Sequence, residues 1–224
     1  MPRSPTLNNQ QIIDAAEEAL RRFGPGKASV VDVARSLGVS HGTVYRYFAK
    51  KLDLWNAVAA RWLRQVAAPG AAIAAEQGPA IERIERWFQA LLTIKRRKAA
   101  EDPELFATFH TLAMAAHEVV TEHLDHLTGQ LESIIADGVA TGELRVEDPA
   151  AAARALFYGT ALFHNPVHAE AWKQPDIDHR FREVFGLLLA GLCASQPDSD
   201  ATTTTSPERA RRAETTQSTS RSPS

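Results

Sequence analysis

From Asn9 onward, apolar residues return every three or four positions, and nowhere do apolar and polar residues alternate in the two-residue rhythm of a half-buried strand. That single feature restricts the chain to helices packed on helices. Ile12, Ala16, Ala19, Leu20 and Phe23 share one face of a first helix, expected from Asn9 to Phe23 and ended by Gly24, Pro25 and Gly26. Ser29 is placed to cap a second helix with Val30, Val33, Ala34 and Leu37 inward, and Gly38 supplies the left-handed turn that closes it. A third helix begins near Ser40 or His41 and turns Val44 and Phe48 inward. A fourth starts near Leu52 and buries Leu54, Trp55, Val58, Trp62 and Val66. Pro69-Gly70 and Gly78-Pro79 read as the ends of a connector. Further helices are expected over about Ala80 to Lys98, Asp102 to Met114, His117 to Thr141, Asp148 to Phe163 and Ile177 to Ala194, with Asn165-Pro166 as an interruption. The fold class is therefore all-α, with about nine helices.

Composition sets the outer limits. Residues Ser195 to Ser224 hold fourteen Ser or Thr and no Val, Ile, Leu, Phe, Tyr, Trp or Met, so they are expected to form a disordered tail. The net charge of −2 is unevenly spread: residues 1–51 carry +4 and residues 52–224 carry −6. A basic head on an acidic body points to a polyanion as the head's partner. The expected division is thus a head at 1–51, a body at 52–194 and a tail at 195–224. Cys193 is the sole cysteine, which excludes an internal disulfide and suits a reducing compartment. No apolar run approaches the ~20 residues of a membrane helix, and Met1 to Asn9 lack an apolar signal core. A cytoplasmic protein with no membrane partner is expected.

The stretch Ser29 to Lys51 has the design of a helix-turn-helix, in which the second helix buries one face and keeps its N-terminal side free for a groove. With Val44 and Phe48 committed inward, Ser40, His41, Gly42, Thr43, Tyr45, Arg46 and Tyr47 remain at the exposed end. Gly42 permits close backbone approach, the hydroxyls and the Arg46 fork donate hydrogen bonds, and Lys50 and Lys51 place charge near a duplex backbone. The run from Ser29 through Leu54, S-V-V-D-V-A-R-S-L-G-V-S-H-G-T-V-Y-R-Y-F-A-K-K-L-D-L, resembles the DNA-binding head of the tetracycline-repressor (TetR) family. The resemblance covers residues 9 to 62.

The resemblance implies a homodimeric, ligand-responsive transcriptional regulator, usually a repressor, that binds a palindromic double-stranded operator. It implies that Ser29 contacts phosphate, that His41, Gly42, Thr43 and Arg46 face bases or nearby phosphates, and that Tyr45, Tyr47 and Lys51 reach the backbone. Two residues depart from the family pattern: Val31 stands where a basic or polar residue is frequent, and Leu52 where an acidic one is usual. The body is expected to hold a small, apolar or aromatic effector against Trp62, Trp87, Leu91, Phe106, His110, Met114, His117, Tyr158, Leu162 and Asn165. The dimer surface is expected from Leu156, Phe157, Thr160, Phe181, Val184, Phe185, Leu188 and Leu192. His123 and His126 share a helix face, while Pro166 breaks the geometry between His164 and His168; no metal and no cofactor are expected. The chain shows neither a strand-linked phosphate loop nor a G-x-S-x-G elbow. The alternatives are a helical protein-binding scaffold or an all-α enzyme, and steep salt dependence of DNA binding separates them from a regulator.

Overall fold

A computed structural model describes residues 7–193; the Ser195 to Ser224 tail expectation lies outside the described residues. Within them stand ten α-helices: α1 (Asn9–Lys27), α2 (Val30–Ser36), α3 (His41–Tyr45), α4 (Lys51–Ala74), α5 (Ala80–Glu101), α6 (Pro103–Ala115), α7 (His117–Ala140), α8 (Pro149–Gly159), α9 (Ala161–His164) and α10 (Ile177–Cys193). Two short 3-10 turns, Pro166–His168 and Ala171–Lys173, link the last two helices. No strand occurs among the described residues, and none of their helices is long and apolar enough to cross a membrane.

The helix starts follow local chemistry. Asn8 and Gln11 form a reciprocal capping box at α1, and Ser29 and Asp32 form another at α2. Asp102 and Asp148 accept from backbone amides at the starts of α6 and α8, each followed by a proline in the first turn. Each such cap contributes about 1 kcal/mol. Gly24, at φ 72°, breaks the helical path of α1 where the sequence places its end, with one further turn to Lys27.

One expectation fails instructively. The helix α4 runs straight through Pro69-Gly70, read from sequence as the edge of a connector. An interior proline costs ~3 kcal/mol, but this segment buries Val66, Ala67 and Ile73. A Cβ on Gly70 would sit 2.5 Å from Trp87 Nε1 and 2.6 Å from Gln130 Oε1. Trp87 Nε1 donates to Gln130 Oε1 at 2.9 Å, and Gln130 Nε2 donates to the Ala67 carbonyl at 3.4 Å. Gly70 is therefore a packing glycine that lets α5 and α7 close on α4. The helix expected to run to Phe163 is likewise split at Thr160, whose buried hydroxyl donates back to the Leu156 carbonyl at 2.8 Å.

One buried cluster extends from Ile12 of α1 to Leu192 of α10, with Trp87 and Phe88 of α5 fully enclosed. Phe88 meets Phe185 edge-on at 5.2 Å, and Phe181 stacks on Phe185 at 5.2 Å. The basic head is pinned to the rest by ion pairs. Arg61 of α4 reaches both Asp14 and Glu17 of α1, and Arg21 of α1 bonds Asp102, the cap of α6, at 3.0 Å.

Candidate functional site

Two sites emerge, one on the head and one in the body. On the head, Gly38 takes φ 66° and turns the chain from α2 into α3. The Ser40 hydroxyl accepts from the Thr43 amide at 3.1 Å and caps α3. Val44 of α3 is buried; Phe48, expected on the same helix, is half-buried but lies three residues past its end at Tyr45. Ser40, His41, Gly42, Tyr45, Arg46, Tyr47 and Lys51 are exposed, while Thr43 and Ser29 are half-buried. A Cβ on Gly42 would meet nothing closer than Ser40 Oγ at 3.8 Å, so the protein itself does not require glycine there.

Three contacts refine the predicted roles. Ser29 Oγ gives its proton to Asp32 at 2.6 Å, leaving lone pairs rather than a donor outward. The Tyr47 hydroxyl donates to the Leu7 carbonyl at 2.6 Å, tying the chain entry to the end of α3. Lys51 Nζ lies over the Trp55 ring at 5.6 Å. At the Leu52 departure, Asp53 supplies the cap instead, accepting from the Lys50 amide at 3.0 Å.

In the body, a cavity of about 180 Å³ opens between α4, α5, α6, α7, α8 and α9. Of the predicted wall residues, Trp62, His110, Met114, Tyr158 and Asn165 line it. Met114, Tyr158 and Asn165 are exposed and form its rim. Trp87, Leu91, Phe106, His117 and Leu162 are not on its wall. Trp87 and Leu91 face the core, and Phe106 lies across Trp62, edge-on at 6.0 Å, bordering a separate groove. His117 is exposed at the start of α7, and the Leu162 carbonyl accepts from Trp172 Nε1. Trp62 stacks on Phe109 at 5.1 Å.

The sequence reading missed the polar heart of the cavity: Lys95, His123 and His164. Lys95 Nζ donates to the His164 carbonyl at 2.9 Å, and burial lowers its pKa to about 8. His164 Nε2–H donates to the Phe157 carbonyl at 2.9 Å. Burial first, and the Lys95 charge second, bring the pKa of both His123 and His164 down to about 3. The findable signal was spacing: Lys95 lies one turn beyond Leu91 and Leu92, on the apolar face of α5, not on its solvated end.

The expected dimer residues need correction. Leu156, Phe157, Thr160, Phe181, Phe185 and Leu192 are buried within the single chain, Phe181 and Phe185 against Phe88 and Phe157 edge-on to Trp87. They cannot also form an open surface. Val184 and Leu188 stay half-buried, and the apolar surface on α10 is Leu187, 77% exposed.

Comparison with known proteins matches two separate stretches of the chain. Residues 12–58 match the family model described as bacterial regulatory proteins, tetR family, and residues 80–185 match the tetracyclin repressor-like C-terminal domain. The chain belongs to the TetR family. Its relatives include the fatty acid metabolism regulator protein of Bacillus subtilis, 26% identical over 164 residues, covering 67% of this chain and 77% of that protein. A TetR/AcrR-family transcriptional regulator from Thermobifida fusca is similar in structure, with a TM-score of 0.55 and 27% identity over 82% of this chain and 97% of that one. The regulator FadR from Bacillus subtilis, solved in complex with stearoyl-CoA, shares the fold, with a TM-score of 0.54 and 23% identity over 82% of this chain and 99% of that one. This TetR-family chain is a ligand-responsive transcriptional regulator and not an enzyme.

Proposed function

We propose that the protein is a homodimeric repressor whose two heads read successive half-sites of a palindromic operator in the cytoplasm, released when a small effector enters the body cavity. Residues 1–51 serve as the reader, with His41, Gly42, Thr43 and Arg46 toward the major groove and Tyr45, Tyr47 and Lys51 toward the backbone. Residues 52–194 serve as sensor and dimerisation body. The observation that carries this reading is the pair of ties on α1. Arg61 holds it from α4, and Asp102 holds it from the cap of α6. Both helices also wall the cavity, through Trp62 and Leu63 of α4 and His110, Ala113 and Met114 of α6. A ligand that spreads those walls shifts the elements holding the head, which selects between two packings.

The cavity size bears on the effector. An apolar cavity of 150 Å³ accommodates benzene, so 180 Å³ suits a single ring or short chain better than the stearoyl group that FadR holds. For dimerisation, the surface that fits is the exposed face of α10 at Leu187, with the half-buried Val184 and Leu188 beside it, and the neighbouring face of α8 at Ala155 and Tyr158. Leu188 presses on Gly159, where a Cβ would lie 3.0 Å from Leu188 Cδ1, so the two helices are closely apposed.

The test is fluorescence anisotropy with a labelled duplex, selected from genomic fragments, over a salt series. A regulator gives a steep negative slope of log affinity against log salt, and Arg46→Ala weakens binding without lowering thermal stability. Binding that ignores both salt and Arg46 would overturn the assignment.

A further inference from the structure

We propose that the effector is a small organic acid, its carboxylate held between the Lys95 ammonium and the free Nε2 of His123 while a body of about one ring's size fills the apolar part of the cavity. This rests on reading that cavity as the effector site. Lys95 is only 7% exposed, yet no carboxylate lies within ion-pair distance of it among the described residues. Its one hydrogen bond goes to a neutral carbonyl, leaving two of the three ammonium donors without a protein acceptor. A buried charge without a counter-charge is costly, and it is ordinarily paired. His123 is 9% exposed, and its Nε2 has no hydrogen-bond partner. Both groups line the same cavity, whose wall contains no Asp or Glu.

An incoming carboxylate answers both deficits. It accepts from Lys95 Nζ and, in the tautomer protonated at Nε2, from His123, giving charge-assisted bonds in a site of low dielectric. Trp62, Leu63, Val120, Leu124 and Phe157 enclose the rest of the ligand. A neutral molecule of the same shape would leave the ammonium unmatched, so the site discriminates acids from their amides.

The titratable groups that share the cavity wall with Lys95 are His123 of α7, His164 of α9, His110 of α6 and Tyr158 of α8. His123 also borders a second groove that holds His126 and Glu122 of its own helix and Arg64 of α4. With burial holding the Lys95 pKa near 8, the ammonium is charged at neutral pH and discharges above it. Acid affinity therefore falls as pH rises through that value.

The experiment is calorimetric titration of the full-length protein at pH 7.0 and pH 9.0 with benzoate, phenylacetate and hexanoate, each beside its neutral amide. The same titrations are run on Lys95→Met and His123→Gln. The expected result is acid binding at least tenfold tighter than amide binding. Lys95→Met should erase the preference while still accepting the amides, and the preference should shrink at pH 9.0. Amides binding as tightly as the acids in the unsubstituted protein would overturn the carboxylate assignment and leave the cavity as effector site intact. Failure of every probe to bind would overturn both. If Lys95→Met does not fold, the acid-to-amide ratio of the unsubstituted protein at the two pH values decides alone.

Discussion

Replacing Gly42 with alanine should move stability and DNA binding in opposite directions. The added Cβ meets only Ser40 Oγ, at an ordinary 3.8 Å, and Gly42 lies inside α3 with no positive φ. Glycine to alanine at such a helical site raises stability by about 0.4–1 kcal/mol, which moves the melting temperature of a protein this size up by about 1–4 °C. If the start of α3 lies against a duplex, the same methyl intrudes on a close-packed surface, at a cost of about 1–3 kcal/mol per head by analogy with overpacked cores. Two heads engaged together then lose at least tenfold in affinity, since each ~1.4 kcal/mol is a factor of ten. Differential scanning fluorimetry and anisotropy on the same preparation read both quantities. A variant that melts higher and binds its operator as tightly as the parent would refute close approach of α3, and with it the reason for glycine at this position.

Other perturbations probe the remaining parts. Gly70→Ala drives a Cβ into the Trp87–Gln130 hydrogen bond and should destabilise the protein by about 2–4 kcal/mol, from overpacking and two disturbed buried partners, read as a lowered urea midpoint. Arg61→Ala removes the tie to Asp14 and Glu17, both partly exposed, so stability should drop by about 1 kcal/mol or less. Its larger effect should be on coupling: effector and operator still bind separately, but ligand no longer releases DNA in anisotropy. Acidification should destabilise the fold from pH 6.5 downward, because the unfolded chain protonates its histidines there while His123 and His164 stay neutral until about pH 3. Each contributes a slope near ~1.4 kcal/mol per pH unit between those limits, and urea titrations across pH 4–7 that show a flat midpoint would contradict their burial as neutral rings. Tyr47→Phe should weaken operator binding by freeing the chain at Leu7, measured by anisotropy with circular dichroism as the fold control.

The head was legible because its signals are local. Ser29 and Asp32 are three residues apart, Ser40 and Thr43 likewise, and Gly38 needs only its own backbone angle; nothing distant has to be known. The cavity was half legible. Trp62 and His110 announced themselves by residue type, but Lys95, His123 and His164 converge from three helices, and their roles depend on the burial that convergence creates. Pro69-Gly70 misled for the same reason: a glycine that ends one helix and a glycine that admits a neighbouring tryptophan look identical until Trp87 and Gln130 are in place. The apolar stripe of α10 was correctly seen, but its destination was not, since Phe181 and Phe185 are spent on Phe88 within one protomer.

Arg61 and Trp62 are neighbours along the chain, one gripping the head and the other lining the cavity. In the proposed mechanism, sensing and response meet across a single peptide link. The consequence is modular. Under that mechanism, a chimera that grafts a foreign reader at residue 52 removes the Asp14 and Glu17 partners of Arg61, and should bind DNA yet not respond to the effector. A transplant that carries the fourth helix together with those two acidic side chains keeps the lever whole.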